Sequence, residues 1–477
     1  MSNTPAKKDP VKSIPVKNIT SENTKPLYEQ GKIQVREIHG LFQKIRSYSL
    51  WGLMAMFFAT SWLSWGDRQA ILFDLSARQF HFFGITFWPQ DFFLLSGLLI
   101  IAAYGLFTIT NLAGRIWCGY TCPQSSWSFV FMWIEEKTEG SRNKRIKMDK
   151  APMSLEKLLR RGTKHVLWLL LALATGLTFI GYFSPIRELL PNLLTFNLDS
   201  WEIFWIGFFT VATYLNAGWL REQVCIHMCP YARFQSVMFD QDTLIVSYDE
   251  KRGEGEKGRG ARKKTADYKA EGLGDCIDCS LCVQVCPTGI DIRDGLQYQC
   301  IGCALCIDAC DSIMDKMGYE PGLVRYTTEH ALEGGETHFM RPRLIGYALV
   351  LSLMCAGMIY AVVSRTAFEL DISRDRGALY QLTPNDTVQN TYTLDMMNMT
   401  QSQRSYRIQI FGLEGLITDT PELVILKSNE MRSFPINIEI DPEKLSNSKT
   451  NIEFVVTEQE AQEEVAREET RFIAPIN

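Results

Sequence analysis

Eight of the 13 cysteines fall between positions 276 and 310. They read Cys276-Ile-Asp-Cys279-Ser-Leu-Cys282-Val-Gln-Val-Cys286-Pro287 and, after a short spacer, Cys300-Ile-Gly-Cys303-Ala-Leu-Cys306-Ile-Asp-Ala-Cys310. These are two copies of C-x2-C-x2-C-x3-C, the spacing with which three thiolates wrap one cubane while the fourth reaches to a neighbouring cluster. Two [4Fe-4S] clusters follow, one on Cys276, Cys279, Cys282 and Cys310, the other on Cys300, Cys303, Cys306 and Cys286. Zinc also takes four thiolates, but its sites use paired C-x2-C knuckles across a longer spacer. The second copy ends Cys310-Asp311 where a proline is usual, which removes a rigid turn and no ligand.

Two further pairs are Cys118-Gly-Tyr-Thr-Cys122-Pro123 and Cys225-Ile-His-Met-Cys229-Pro230. Cysteines four apart share one face of a helical turn, and a following proline disfavours helix at the second of them. Each pair follows an apolar run, so a pseudo-repeat that brings Cys118, Cys122, Cys225 and Cys229 together is expected. Four thiolates suit Cu(I), zinc or a third iron–sulfur cluster. Buried packing cysteines are the plainer alternative. His227 and Met228 stand inside the second pair, and Met354, Cys355 and Met358 share one face of a later apolar run; all five are expected to be structural, as are Met396, Met397 and Met399.

The elements that must position these thiols are largely apolar. Hydrophobic residues make up 46% of the chain and aromatics 12%, yet mean hydropathy is near zero, as for membrane spans interleaved with polar domains. Five apolar runs, 48–65, 92–109, 165–183, 201–220 and 344–363, each have about the length of a spanning helix. Trp51, Trp65, Trp201, Trp219 and Tyr182 stand near run ends, where amphipathic rings favour the interface. Lys and Arg concentrate before the first run, in 115–164 and in 221–343, whereas the loops after the first and third runs carry few. Positive charge therefore places the N-terminus and the cluster segment in the cytoplasm and the C-terminal region outside. Of the charged residues, 10 of 49 basic and 19 of 54 acidic lie after Arg365, and no cysteine lies after Cys355. This distribution argues against a nucleic-acid partner and for two compartments, with the thiols on the reducing side.

The expected layout is a disordered arm over 1–40, a membrane domain with four helices and both C-x3-C-P pairs over 41–247, and a solvated linker over 248–273. A ferredoxin-like domain over 274–335, a fifth transmembrane helix over 343–364 and a β-sandwich over 366–477 complete it. The sandwich rests on alternation at Tyr406-Arg407-Ile408-Gln409-Ile410 and at Ile436, Ile438 and Ile440, with short strands at 423–426 and 452–456. No convincing G-x-G-x-x-G follows a strand, so a dinucleotide-dependent hydride reaction is not expected.

The order of apolar runs, the Trp117-Cys118-Gly-Tyr-Thr-Cys122-Pro123 and Cys225-Ile-His-Met-Cys229-Pro230 pairs, the two-cluster segment and the sandwich together resemble the cbb3-type cytochrome c oxidase accessory protein family, also called the FixG family. The resemblance covers nearly everything beyond the arm. It implies a multi-domain bacterial inner-membrane protein: a five-helix α transmembrane domain, a cytoplasmic 2[4Fe-4S] ferredoxin-like insert and a periplasmic immunoglobulin-like domain. It further implies reduction of Cu(II) to Cu(I) for oxidase assembly, with a cytoplasmic electron donor and with oxidase assembly factors or copper chaperones as partners. The C-x3-C-P pairs are also similar to those of membrane quinol dehydrogenases of nitrate and nitrous oxide respiration, so quinol-linked electron transfer is the alternative. A non-redox assembly scaffold is a third.

Overall fold

The computed structural model describes residues 33–475 apart from 67, 265, 266, 376, 385 and 446. The arm expected over 1–40 therefore lies outside the described residues as far as residue 32. Residues 33–40 are pinned to the cysteine-rich domain, where the Arg36 N–H donates to the Gln284 carbonyl at 2.9 Å. The chain divides into two compact units, residues up to 81 with 89–358, and residues 82–88 with 359 onward.

The first unit is mainly helical: α1 (Leu41–Thr60), α2 (Phe92–Ala113), α3 (Ile116–Tyr120), α4 (Pro123–Glu139), α5 (Arg142–Lys150), α6 (Leu155–Ile180), α7 (Ile186–Leu194) and α8 (Ser200–Thr213). Two π-helical segments, Tyr214–Leu220 and Val224–Met228, lead to α9 (Pro230–Val237). The cysteine-rich domain carries α10 (Glu250–Glu254), α11 (Leu281–Gln284), α12 (Leu305–Met317) and α13 (Glu329–Glu333), and α14 (Pro342–Val363) follows it.

Four segments are long and apolar enough to cross a membrane: 89–113, 155–180, 200–220 and 342–363. They match the last four expected runs. The first run is helical only to Thr60, and α1 is not among the four because its first half carries Lys44, Arg46, Ser47, Tyr48 and Ser49. The α6 helix begins ten residues ahead of the expected run, at a Ser154 cap whose hydroxyl accepts the Lys157 N–H at 3.2 Å.

Helices α1, α4 and α6 share a core of Leu50, Met54, Phe129, Phe131, Trp168 and Ala172, which Ala217 of the first π segment completes. Beside it Glu135, fully buried on α4, meets Arg221 at 2.7 Å, Arg145 at 3.5 Å and Lys164 at 3.9 Å, and Glu139 meets Lys164 at 2.6 Å. One α4 carboxylate thus ties α5, α6 and the end of the π segment together.

The expected linker is folded rather than solvated. A strand at Ile245–Tyr248 pairs antiparallel with Val324–Thr327, and α10 follows it directly. Arg252 then reaches Asp275 at 2.5 Å and Arg262 reaches the Tyr319 hydroxyl at 3.1 Å. Arg252 and Arg262 are thus spent on the domain they precede, while Glu256, Lys257, Lys263 and Lys264 stay exposed. Asp311 also differs from expectation. No turn follows Cys310, because α12 runs on to Met317, and a proline after Cys310 would sit inside that helix.

The second unit is an antiparallel sandwich. One sheet joins Phe368–Arg374, Val388–Asn398, Met431–Ile440 and Ile417–Thr418, with Gln381–Leu382 added on Val388–Asn398. The other joins Leu423–Leu426, Arg404–Phe411, Lys449–Glu458 and Glu464–Ile473. Period-two alternation turns Tyr406 and Ile408 inward against Ile436, Ile438, Phe454 and Val456. The Tyr392 hydroxyl crosses between sheets to the Arg471 carbonyl at 3.0 Å. Met396 and Met397 are fully buried packing residues here.

Candidate redox centre

Two small adjoining cavities, each of about 20 Å³, divide the eight cysteines between them. Cys276, Cys279, Cys282 and Cys310 line one, together with Tyr248 and Arg293. Cys286, Cys300, Cys303 and Cys306 line the other, to which Cys282 also contributes. The crossing arises because Cys310 sits one turn beyond Cys306 on α12 and so faces the first loop, while Cys286 follows α11 and faces the second. The loops are conformational copies: Asp278 and Gly302 have φ of 54° and 63°, and Ser280 and Ala304 have φ of 52° and 59°. A left-handed backbone at a non-glycine residue costs on the order of 1 kcal/mol or more, so a ligand that needs this curl must repay it.

The donor set fits iron–sulfur clusters. Burial pushes the thiols of Cys282, Cys300 and Cys310 up to about 12 and Cys306 well above its ordinary value. Thiols desolvated in this way become thiolates only when metal supplies the compensating charge. Neither cavity offers a nitrogen or carboxylate ligand that would point to another metal.

The C-x3-C-P pairs adopt one shape twice. The Cys122 N–H bonds the Trp117 carbonyl at 3.0 Å and the Cys229 N–H bonds the Val224 carbonyl at 2.8 Å, a wide five-residue turn at equivalent positions. Each second cysteine then caps a helix that begins at its proline, α4 or α9. The four thiols lie within electrostatic reach of one another. Burial, followed by the opposing pull of Arg115 and the push of Cys122, raises Cys118; burial, then Cys122 and Cys118, pushes Cys225 up to about 12. The Cys118 thiol donates to Gln235 Oε1 at 3.2 Å, and Gln235 Nε2 donates to Thr110 Oγ1 at 3.1 Å, which fixes the sulfur against the end of α2. His227 and Met228 are exposed.

This second site abuts the second cavity. A Cβ on Gly119 would stand 2.9 Å from both Cys303 Cα and the Ile301 carbonyl oxygen, so only glycine lets the two cysteine loops touch. Cys118 packs against the apolar cluster that contains Ile301 and Cys303. The contact is bolted by Tyr120 donating to the Cys303 carbonyl at 3.2 Å, Tyr326 donating to the Gly302 carbonyl at 2.5 Å, Arg46 donating to the Gly119 carbonyl at 3.1 Å, and Arg115 donating to the Tyr298 carbonyl. None of Gly119, Tyr120, Gln235 or Tyr326 stands out in the sequence. Only the placement of Gly119 and Tyr120 between two cysteines hinted at them. Met354, Cys355 and Met358 are half-buried on α14, and Met358 packs over Gly97 of α2.

Comparison with known proteins gives the family. A family described as a 4Fe-4S dicluster domain matches residues 220–329, and one described as the IG-like fold at the C-terminus of FixG matches 358–475. The nitrogen fixation protein FixG of Rhizobium meliloti (strain 1021) is 35% identical over 455 residues, covering 87% of this chain and 86% of its own. The chain belongs to the FixG family. Another relative of this FixG-family chain, protein RdxB of Cereibacter sphaeroides, is 40% identical over 79% of this chain and 81% of its own. A solved FixG-related protein from Vibrio parahaemolyticus aligns over 24% of this chain and all of its own, at 27% identity and a TM-score of 0.22. The chain is thus a membrane iron–sulfur redox protein with a dicluster domain and an immunoglobulin-like C-terminal domain.

Proposed function

We propose that this FixG-family protein is a cupric reductase, taking Cu(II) as substrate at Cys118, Cys122, Cys225 and Cys229 and releasing Cu(I) for assembly of a cbb3-type oxidase through copper chaperones or assembly factors. The observation that carries the reading is the close backbone approach of Gly119 to Cys303, which sets Cys118 and its C-x3-C-P partner beside the second four-cysteine loop. When bound, the two clusters supply one-electron storage, matched to the single electron that separates Cu(II) from Cu(I). The chain's own residues do the rest. Soft sulfur favours Cu(I) over Cu(II), so the site itself biases the couple towards reduction. Gln235 orients the Cys118 sulfur, Arg115 offsets thiolate charge, and the tyrosine bolts hold the two loops at fixed separation.

In this reading α1 is a fifth span, anchored where Asp308 Oδ2 accepts the Gln43 N–H at 2.7 Å. Because α14 lies between the dicluster domain and the sandwich in sequence, a spanning α14 puts them on opposite faces, and the basic loops assign the clusters to the cytoplasm. The test is direct. The Cys118→Ser/Cys122→Ser protein, reduced with dithionite, should keep its iron–sulfur absorbance and lose Cu(II) reduction; undiminished reduction removes these thiols from the site.

A second reading, quinol-linked electron transfer, draws support from an apolar cavity of about 540 Å³ that runs past Thr121 and Pro123, the neighbours of Cys122, to Phe57, Trp127, Phe179 and Phe209. Quinol-dependent reduction of the clusters would favour it over the first.

A further inference from the structure

The chain has six histidines, and two of them meet on one carboxylate in a group that contains no cysteine. His330 Nδ1 lies 2.8 Å from Asp242 Oδ1, and His338 Nδ1 lies 3.7 Å from the same oxygen. One ligand atom from each of the three residues falls within 4.8 Å of the other two. Donors held at about 2.0–2.1 Å around a tetrahedral ion are separated by roughly 3.3 Å. The observed spacings bracket that value, so an ion fits with small side-chain adjustments.

We propose that Asp242, His330 and His338 form a further metal site, selective for a divalent transition ion with an appetite for imidazole, Cu(II) foremost. Two imidazoles and one carboxylate suit copper or zinc and are a poor set for calcium or magnesium. Copper(II) heads the affinity order for such donors. The charge balance also calls for a cation. Among the described residues no lysine or arginine pairs with Asp242, although its neighbour Asp240 is held by Arg341 at 2.8 Å and Arg343 at 3.8 Å. The side chain of His338 is 67% exposed, which leaves one side of the site open for water or an incoming ligand.

The donors are held in place before any ion arrives. The Asp242 N–H donates to Asp240 Oδ1 at 3.1 Å, and the His338 N–H donates to Asp242 Oδ1 at 3.0 Å. The His330 N–H donates to the Gln241 carbonyl at 3.2 Å, and the Gly335 N–H returns to the His330 carbonyl at 2.8 Å. The Thr328 and Thr337 hydroxyls, 2.7 Å apart, close the loop that carries both histidines. Next to Asp242, Thr243 Oγ1 donates to the Asn111 carbonyl at 3.0 Å and the Leu244 N–H donates to the Leu112 carbonyl at 3.0 Å, so the site is fastened to the end of α2, the helix that leads to Cys118. Nitrogen and oxygen donors suit the cupric form and thiolates the cuprous form. Resting on the copper reading above, that division makes this the site where Cu(II) is held before reduction.

The metal site itself is tested without any reductase activity. Oxidised full-length protein in detergent is given one equivalent of Cu(II) with no reductant, and its EPR spectrum is recorded. The expected result is a Cu(II) signal split by imidazole nitrogens, with His330→Ala and His338→Ala each weakening Cu(II) retention by more than about tenfold, the loss that even a second-layer partner of a ligand brings. The double variant should lose the split signal while keeping its iron and sulfide. The Cys118→Ser/Cys122→Ser protein should retain the signal whether or not it reduces copper, which separates this proposal from the reductase reading. A spectrum without nitrogen splitting, or equal Cu(II) affinity in the double histidine variant, overturns it.

Discussion

A single missing Cβ decides how close the two cysteine systems come. At Gly119 the added carbon of alanine would press on backbone atoms of Ile301 and Cys303 at 2.9 Å, and backbone cannot rotate away as a side-chain tip can. Gly119→Ala should therefore destabilise the iron-loaded protein by about 1–3 kcal/mol, the usual cost of overpacking. Gly162→Ala is the control, because nothing lies within 4 Å of its Cβ and it sits within α6. There the same change should be neutral or stabilising by up to about 1 kcal/mol. Thermal unfolding of both variants checks the pair, and equal shifts would mean that the Gly119 contact is unimportant.

At the scale of elements, α4 carries two jobs on one helix. Its N-terminus is capped at Cys122, and three turns later Glu135 meets cations from α5, α6 and the π segment. Glu135→Gln leaves Arg145 and Arg221 buried without their carboxylate, and breaking one partner of a buried ion network costs about 3–5 kcal/mol. The expected outcome is a lowered unfolding temperature with Cys118 reactivity towards thiol reagents increased. The cysteine loops make a second prediction. Their curled backbone and desolvated thiols depend on metal, so stripping iron with chelator and oxidant should make residues 276–310 protease-sensitive. The sandwich, which has its own hydrophobic core and no cysteine, should stay resistant.

For the whole molecule, the two units answer to different physics. The sandwich buries Tyr392, Leu394, Ile436, Ile438 and Phe454 completely, so residues 366–475 alone should be soluble, show a β-sheet circular dichroism spectrum and unfold cooperatively without iron. In the proposed topology, protease added to spheroplasts should reach that domain, while residues 250–264 are cut only after the membrane is permeabilised; cleavage of both from one side would reject the arrangement. Much of this organisation is legible in the chain because it is written in local periods: twenty-residue apolar stretches at α2 and α14, alternation at Tyr406–Ile410, and cysteine spacings that reflect the shape of a cubane. Charge misleads where it is spent internally. Lys44 and Arg46 keep α1 below the apolarity of a span, and Arg252 and Arg262 make a folded segment look like linker. By itself, then, the sequence determined the cysteine spacings, the family and the presence of apolar helices, a dicluster domain and a sandwich. Only the tertiary structure decided that Gly119 touches Cys303, that Gln235 holds Cys118 and that His330 and His338 share Asp242. Those pairs lie tens to hundreds of residues apart, and no spacing rule connects residues that meet only when separate elements pack.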